Sequence, residues 1–418
     1  MGTQRLEKER FIGLEWLRFL LGCYVMIYHT SHVYPQLKKV WGLSEITSMG
    51  FFATSTFFIL SGFLLTHVYV RGSELKEKAS GFWKKRLFNL YPIHIMALLA
   101  SFLVIMFMNW VAIPPEGTTA SMRFVIYDTH EVLGQTHPEL FRHYMDNGQL
   151  AFNLLLQFFM LQAWNPYFLT FNAPLWSLST LCFFYFLFPW IAPKLANVRR
   201  PHIWLIVIGV IYLIPPLLIV ITHQYGMPYT GLLQRGPIFR LPEFLAGIVG
   251  YALFRQIRLN EKTFTPTNMR LIGLGIIGAF FIATLLFTHG EDYWYFMLHN
   301  GLLLPAQIAL IYLCAQLKAP SSEWIRHWLP RLGGASLPIF AFHVPLFSLW
   351  RTIEQFLRGA PLACLNDQPY CIAKAAQISL SLPGYGLYLL STIFFALIFQ
   401  EHFVVPVRTY LQRRFIRS

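Results

Sequence analysis

Charged residues are scarce in this chain, and long polar segments are missing. Asp, Glu, Lys and Arg make up only 12% of its 418 residues, which is about half of their share in a soluble globular protein. Hydrophobic residues contribute 56% and aromatic residues 17%. This composition excludes an ordinary soluble enzyme, and no stretch is polar enough to form a second, water-soluble domain. We therefore predict a single integral membrane domain over residues 1–418.

Several common site signatures are missing as well. The sequence has no Walker loop, no glycine-rich dinucleotide motif and no G-x-S-x-G elbow. Its histidines show no metal-ligand spacing, so we predict no metal site. The formal net charge is +14, but the basic residues alternate between loops and form no stripe with aromatic residues. This distribution argues against nucleic acid as a partner.

Cysteine is also rare, with five residues in the chain. Cys23, Cys182 and Cys314 lie in apolar stretches, where a thiol is most simply a small core side chain. Cys364 and Cys371 share one polar loop. Their pairing in a disulfide is expected if that loop faces an oxidising compartment.

Long apolar stretches are abundant, and each predicts a membrane-spanning helix. The ten stretches lie near residues 12–34, 46–70, 88–113, 174–193, 203–222, 237–254, 271–288, 294–316, 335–357 and 382–406. They predict an all-α integral membrane protein, a bundle of about ten transmembrane helices. The first stretch is too long and too charged for a cleavable signal peptide, so it is expected to be an uncleaved span.

The basic residues predict the orientation of these spans. Most of the 33 Lys and Arg residues fall in loops on one side of a ten-span arrangement, so both termini are expected in the cytoplasm. If the further apolar stretch 150–171 also crossed, every later loop would change sides and the bias would nearly vanish. That segment is therefore predicted to be re-entrant or interfacial. Loop 114–148 and the loop with Cys364 and Cys371 are expected to face outward.

The first stretch contains two polar groups that are costly in hydrocarbon, Arg18 and His29. Eleven positions make almost three helical turns, so both side chains lie on one face, about 16 Å apart along the axis. Glu15 precedes Arg18 by three residues and can pair with it. The spacing alone leaves two interpretations open. Either Arg18 neutralises Glu15 and His29 is an interfacial polar residue, or the two groups work across the membrane.

Other polar residues within the apolar stretches present similar choices. Glu243 lies three residues after Arg240, at a predicted depth close to that of His29, and would either orient its imidazole or only pair with Arg240. His343 would be catalytic or would bind a carbonyl freed by a neighbouring proline. The dipeptide Ser61-Gly62 in the second apolar stretch allows close approach of a neighbouring helix or of a ligand.

The basic run with Lys85 and Arg86 either anchors the chain at the membrane surface or holds phosphate groups. Trp176, at the start of a span, is typical of an anchor at the membrane interface.

Together these segments resemble the membrane acyltransferase-3 family. The resemblance rests on seven short motifs that follow one another between residue 11 and about residue 346. They are Glu15-x-x-Arg18, the Arg18 to His29 interval, Phe57-Phe58-x-x-Ser61-Gly62-Phe63, the basic run closing on Tyr91-Pro92, Pro174-Leu175-Trp176-Ser177-Leu178-Ser179 before Phe184-Tyr185-x-x-Phe188-Pro189, Phe239-Arg240-x-Pro242-Glu243-Phe244-x-x-Gly247, and Ser336 with His343-x-Pro345.

The resemblance implies a ten-helix enzyme that moves an acyl group, usually acetyl, from cytoplasmic acyl-CoA to a hydroxyl of a cell-envelope glycan or glycolipid. It implies acyl-CoA as co-substrate, a carbohydrate acceptor and the lipid bilayer as partners, and a place in the inner or plasma membrane. Some members carry a C-terminal soluble domain; a stand-alone form is expected here. Two departures from the family's motifs bear on the choice of acceptor or on cofactor binding. Thr180 and Leu181 stand where an acidic residue is common in the family, and Asn89 stands where a second arginine is common.

Under this resemblance each candidate residue has an expected role. His29 is the general base, and Glu243 or another carboxylate orients it; Arg18, Ser61, Lys85 and Arg86 hold the cofactor; Arg240 and His343 contact the acceptor, and Trp176 stacks on its sugar unless it is only an interface anchor. Two other interpretations remain. One is a transporter or exporter of a glycan or lipid-linked sugar without acyl-transfer chemistry. The other is a different membrane O-acyltransferase fold, whose usual Asn/His pair has no evident equivalent here.

Overall fold

The computed structural model describes residues 10–40, 42–110, 145–260, 264–359 and 361–416, and this part of the chain is almost entirely helical. Its longer helices are α1 (Ile12–Ser31), α2 (Gly50–Tyr69), α3 (Ala79–Trp110), α4 (Asn147–Phe158), α5 (Trp176–Leu195), α6 (Pro201–Thr222), α7 (Pro237–Leu259), α8 (Pro266–His289), α9 (Leu304–Gln316), α10 (Glu323–Arg358), α11 (Leu382–Phe399) and α12 (Val405–Phe415). Shorter helices are Pro35–Lys38, Leu43–Thr47, Tyr229–Arg235, Tyr293–Met297 and Gln368–Ala376. Strands β1 (Val70–Arg71) and β2 (Glu74–Leu75) form an antiparallel hairpin between α2 and α3.

The all-α membrane architecture expected from the sequence is confirmed. Within the described ranges, eight helices are long and apolar enough to cross a membrane, and a ninth span results if the bent pair Tyr293–Leu302 and Leu304–Gln316 counts as one. A helix lies in each of the ten predicted stretches. Helix α1 is not among the eight, because Glu15, Arg18 and His29 lower its hydropathy. Its crossing of the membrane stays a prediction, as does the single-domain assignment. Loop 114–148 lies mostly outside the described residues.

Residues 150–171 do not form a membrane-spanning helix. Helix α4 has 12 residues and is therefore about 18 Å long, whereas the hydrocarbon core is about 30 Å thick. The chain then turns back through short 3-10 helices to α5. The buried side chains of Gln157 and Gln162 donate to the carbonyls of Thr170 and Leu175, respectively. These hydrogen bonds join the outgoing part of the segment to the part that returns to α5. This is the geometry expected of a re-entrant or interfacial segment.

Helices α1 and α10 lie side by side and run in the same direction. A Cβ placed on Gly333 would overlap the Glu15 carboxylate, and one on Gly22 would lie 3.2 Å from the carbonyl oxygen of Ser336. The contacts follow the same order along both helices. This alignment brings the end of α1 to the middle of α10, where His343 stands.

Helices α2 and α7 approach each other through two glycines. A Cβ on Gly62 would overlap the carbonyl of Phe244, and one on Gly247 would overlap the carbonyl of Ile59. Each glycine therefore admits the backbone of the other helix, which gives Gly62 a packing role. Ser61, beside it, donates to the Tyr185 hydroxyl at 3.4 Å.

Candidate active site

His29 lines a polar cleft at the end of α1. The cleft has a volume of about 480 Å³, and seven of its nine lining residues carry a hydroxyl or an imidazole group. Its other lining residues are Tyr28, Ser31, His32, Leu37, Leu43, Ser44, Thr47 and Ser48. Gly50, at the start of α2, leaves room for the Tyr28 ring, since a Cβ there would overlap it. A wall of this kind suits a ligand with several hydroxyl groups.

A second imidazole, that of His343, lies behind His29. The two ring centroids are 5.1 Å apart. His343 is fully buried, and its Nδ1 lies 3.2 Å from the carbonyl oxygen of Ile339. A carbonyl only accepts, so Nδ1 carries the proton and Nε2 of the neutral ring is an acceptor. This Nε2 has no hydrogen-bond partner among the described residues.

The sequence left open whether His343 binds a carbonyl freed by Pro338 or Pro345, and at Pro345 the structure gives that task to another residue. Pro345 has no N–H for the carbonyl of Ala341. The Nδ2 of buried Asn172 donates to this carbonyl at 2.9 Å. His343 is therefore not needed to satisfy the backbone there, and its ring is directed to the neighbourhood of His29.

Glu243 lies in a different polar cluster. Its Oε1 is 2.9 Å from Nη2 of Arg240, and both side chains are 1% exposed. The Tyr212 hydroxyl donates to the same carboxylate at 2.7 Å. Arg240 also donates to Ser55 Oγ at 2.6 Å. The described contacts of Glu243 thus lie within this cluster, and they include none with His29.

Arg240 has a clear structural task in this cluster. Asn300 and Gly301 adopt non-helical backbone angles and break the helix after His299. The carbonyl of His299 then accepts from Arg240 Nη1 at 2.7 Å and from the Tyr212 hydroxyl at 3.3 Å. In hydrocarbon a freed carbonyl must be satisfied internally, so the cluster stabilises the helix break at Asn300 and Gly301. The roles of Glu243 as orienting group and of Arg240 in acceptor binding stay predictions.

Arg18 lies on α1, toward the end opposite to His29. Its Nη1 is 3.5 Å from Glu15, and its side chain is 34% exposed. Arg10 also approaches Glu15, at 3.7 Å. The Glu15 to Arg18 pairing expected from the spacing is thus present, and the exposed part of Arg18 leaves its guanidinium accessible to a ligand.

The basic run at the start of α3 is already partly engaged. Lys85 forms an ion pair with Glu77. Arg86 donates to the Tyr69 hydroxyl and lies 4.8 Å from the centre of that ring. The cofactor roles of these basic residues and of Ser61 stay predictions.

The structure gives only part of the evidence needed for two further predictions, the role of Trp176 and the Cys364–Cys371 disulfide. Trp176 is half-buried, and its ring meets Phe58 edge to face at 5.9 Å; it does not line the His29 cleft, so acceptor stacking stays a prediction. Cys371 is buried and disulfide-bonded. The side chain of Cys364 lies outside the described residues, so the Cys364–Cys371 pairing also stays a prediction.

Sequence reasoning missed several polar groups of both clusters. In the cleft these are His32 and the hydroxyls of Ser44, Thr47 and Ser48; their signal was a second histidine three residues after His29 and a short run rich in Ser and Thr. In the arginine cluster they are Tyr212, a lone polar residue within its apolar stretch, and Ser55, the middle one of three consecutive hydroxyl residues in α2.

Comparison with known proteins identifies the family. A family model described as an acyltransferase domain matches residues 11–401. The O-acetyltransferase OatA of Staphylococcus aureus is 25% identical over 364 residues, which are 82% of this chain and 52% of that protein. The acyltransferase MdmB of Streptomyces mycarofaciens is 24% identical over 261 residues, 58% of this chain and 56% of that protein. Protein 2 in the picA locus of Rhizobium radiobacter is 29% identical over 181 residues, 41% of this chain and 76% of that protein.

The chain spans about half the length of OatA and MdmB. No solved structure matches it. The family model, in contrast, runs through α1, both polar clusters and all of α11. The chain therefore belongs to the acyltransferase-3 family.

Proposed function

We propose that this protein is a membrane O-acyltransferase in which His29 is the general base. It would move an acetyl or other small acyl group from cytoplasmic acyl-CoA to a hydroxyl of a cell-envelope glycan or glycolipid. The observation that carries the proposal is the position of His29. Its imidazole lines a cleft rich in hydroxyl groups and has the buried ring of His343 5.1 Å away.

The reaction needs a single proton acceptor at the cleft. An acceptor hydroxyl attacks the carbonyl carbon of the thioester as His29 takes its proton; the new C–O bond forms, the C–S bond breaks, and the thiolate leaves with that proton. In the alternative route an imidazole nitrogen of His29 attacks the thioester first and the thiolate leaves; the acceptor hydroxyl then attacks this acyl-histidine, the C–N bond breaks, and the hydroxyl proton passes to the departing imidazole. A positioned general base contributes about 10²- to 10⁴-fold to such a rate.

His343 is suited to orient this base. With its proton held on Nδ1 by the Ile339 carbonyl, its Nε2 is free to accept an N–H of His29, directly or through one water. Such a bond would fix which nitrogen of His29 carries the proton and which takes the acceptor's. In this proposal His343 replaces Glu243 as the orienting group.

The donor would enter from the other end of α1. Arg18 and the basic start of α3 offer charge-assisted contacts to the phosphates of acyl-CoA. The pantetheine arm would then lie along the bundle toward His29, about 16 Å from Arg18 along the helix axis. The cytoplasmic side of this entrance is the one that the loop charges favour.

The direct test is His29→Ala in membranes supplied with labelled acetyl-CoA and envelope glycan. We expect loss of label transfer with normal membrane insertion. His202→Ala is the matched control, since His202 is exposed at the start of α6 and its loss should leave transfer unchanged. Normal glycan acylation by His29→Ala would contradict the assignment of His29 as the general base.

A second test separates cofactor binding from acceptor binding. Arg18→Ala should raise the KM for acyl-CoA more than the KM for the acceptor, because it removes a cation from the donor entrance. Steady-state kinetics with each substrate varied in turn measures both values. Equal increases would argue against a cofactor role.

One observation keeps a transporter as the second candidate. The break at Leu298–Leu302, with Asn300 and Gly301 out of helical conformation, is of a kind that transporters use at their substrate sites. Purified protein incubated with labelled acyl-CoA and glycan discriminates the two functions. Release of the CoA thiol supports the enzyme, whereas glycan movement across a vesicle membrane without thiol release supports transport.

A further inference from the structure

Two arginines from distant parts of the sequence meet at one end of the bundle. Helix α12 packs against α3; Lys84 donates to the carbonyl of Phe415 at 2.9 Å, and the rings of Phe88 and Phe415 lie 6.0 Å apart. This packing places Arg408 beside Asn89, whose Oδ1 accepts from Arg408 Nη1 at 3.1 Å; Asn89 lies three residues after Arg86 and therefore on the same face of α3. The pair is therefore built by a contact between helices about 320 residues apart in sequence.

Neither guanidinium has a carboxylate partner among the described residues. Arg86 is held by the Tyr69 hydroxyl and ring, and its buried Nε has no hydrogen-bond partner there. Arg408 donates from Nη1 to Oδ1 of Asn89 at 3.1 Å. Glu77, nine residues before Arg86, forms an ion pair with Lys85. Neutral groups thus fix both arginines in place without neutralising them.

This arrangement is unfavourable by itself and suits an anion. Like charges at short range destabilise the folded chain, and the repulsion ends when a dianion lies between them. Arginine presents a planar fork of N–H donors that matches phosphate oxygens. Tyr69 and Asn89 are neutral anchors, so they would hold the forks without competing for the ligand's charge.

We propose that Arg408 completes a phosphate site with Arg86, and that its ligand is the diphosphate of acyl-CoA. This proposal rests on the proposed function, which supplies a phosphate-bearing donor. The oxygen of Asn89 is the positioning group: it directs a guanidinium from α12 to the place beside Arg86. The sequence departure at Asn89 is then compensated by Arg408, which comes from the far end of the chain.

The experiment measures equilibrium binding of coenzyme A to the purified full chain in detergent, so it does not require turnover. Arg408→Gln should weaken coenzyme A binding about tenfold, the loss expected for one charge-assisted contact. Binding of pantetheine, which lacks the phosphates, should not change. Arg413→Gln is the matched control, since it removes an exposed charge from the same helix and should leave both affinities unchanged.

An exchange variant separates binding from folding. Arg408→Asn combined with Asn89→Arg returns a guanidinium to the same place and should recover most of the coenzyme A affinity that Arg408→Asn alone loses. Unchanged coenzyme A affinity in Arg408→Gln would overturn the proposal. So would loss of retained phosphatidylglycerol from lipid nanodiscs in Arg408→Gln with coenzyme A binding intact, because the ligand would then be a lipid headgroup. If coenzyme A binds through Arg408 and no acyl group is transferred, only the proposed function fails.

Discussion

The imidazole pair at His29 and the arginine–glutamate pair at Arg240 both place ionisable groups inside the helical bundle, but their surroundings differ. His29 lines an open cleft, and its partner ring, His343, has an Nε2 without a described hydrogen-bond partner. Arg240 and Glu243 are 1% exposed and paired with each other. Their other hydrogen bonds join α2, α6 and a broken helix.

This difference shows how to separate chemistry from support among costly intramembrane groups. A group whose charge is neutralised and whose donors hold freed backbone carbonyls stabilises the bundle. A group that faces a cleft and retains an unused acceptor nearby is available to a substrate. Position along the sequence could not make this distinction, because both pairs occupy similar predicted depths.

The largest expected effect is on the imidazole side of the comparison. His29→Ala should lower the acyl-transfer rate about 10³-fold, since the general base is lost, and should change the thermal stability little, because the side chain lines a cleft. Label transfer and thermal unfolding in detergent measure the two quantities. A large loss of stability with residual activity would place His29 with the structural groups instead.

The opposite pattern is expected on the arginine side. Glu243→Ala leaves Arg240 buried without its counter-charge and should lower the free energy of unfolding by about 3–5 kcal/mol. Glu323→Ala is the matched control: Glu323 pairs with Arg326 at 3.7 Å and is 94% exposed, so its loss should cost under about 1 kcal/mol. A stable Glu243→Ala protein without activity would restore the catalytic role that the sequence suggested.

A smaller effect is expected from the orienting ring. His343→Gln should lower kcat up to about 100-fold through misplacement of His29, while the KM for acyl-CoA stays unchanged. His343→Asn, which keeps a polar group at a shorter reach, serves for comparison. If both variants act at the full rate, His343 is a packing residue and the imidazole pair has no shared function.

The smallest effect tests the helix contact that forms the imidazole pair. Gly22→Ala adds a Cβ 3.2 Å from the Ser336 carbonyl oxygen and should cost about 1 kcal/mol as α1 and α10 separate slightly. Transfer activity should fall by a few fold as His29 moves from His343. Gly275→Ala in α8 is the control, because nothing lies within 4 Å of its added Cβ; equal effects from both would exclude the α1–α10 contact as the cause.

Much of the fold was predictable because hydrocarbon imposes simple rules. Length and hydropathy predicted a helix in each of the ten stretches, and charge bias predicted that 150–171 does not cross. Helix α1 shows the limit of predictions from hydropathy. Glu15, Arg18 and His29 lower its mean hydropathy, so α1 is not among the helices that are apolar enough to be identified as membrane spans. Predicted depth alone suggested Glu243 as a partner of His29, and that role stays a prediction; the structure adds His343, whose ring centroid lies 5.1 Å from that of His29.

The sequence by itself determined which ionisable residues lie within the apolar stretches and are costly there: Arg18, His29, Arg240, Glu243 and His343. It also determined that they lie on helices, since only helices satisfy every backbone group locally in a bilayer. Only the tertiary structure decided how they pair. Pairing depends on where small residues let helices approach, as Gly22 does at Ser336 and Gly62 at Phe244, and on which carbonyls a broken or proline-containing helix frees. These contacts join residues hundreds of positions apart, which no local pattern records.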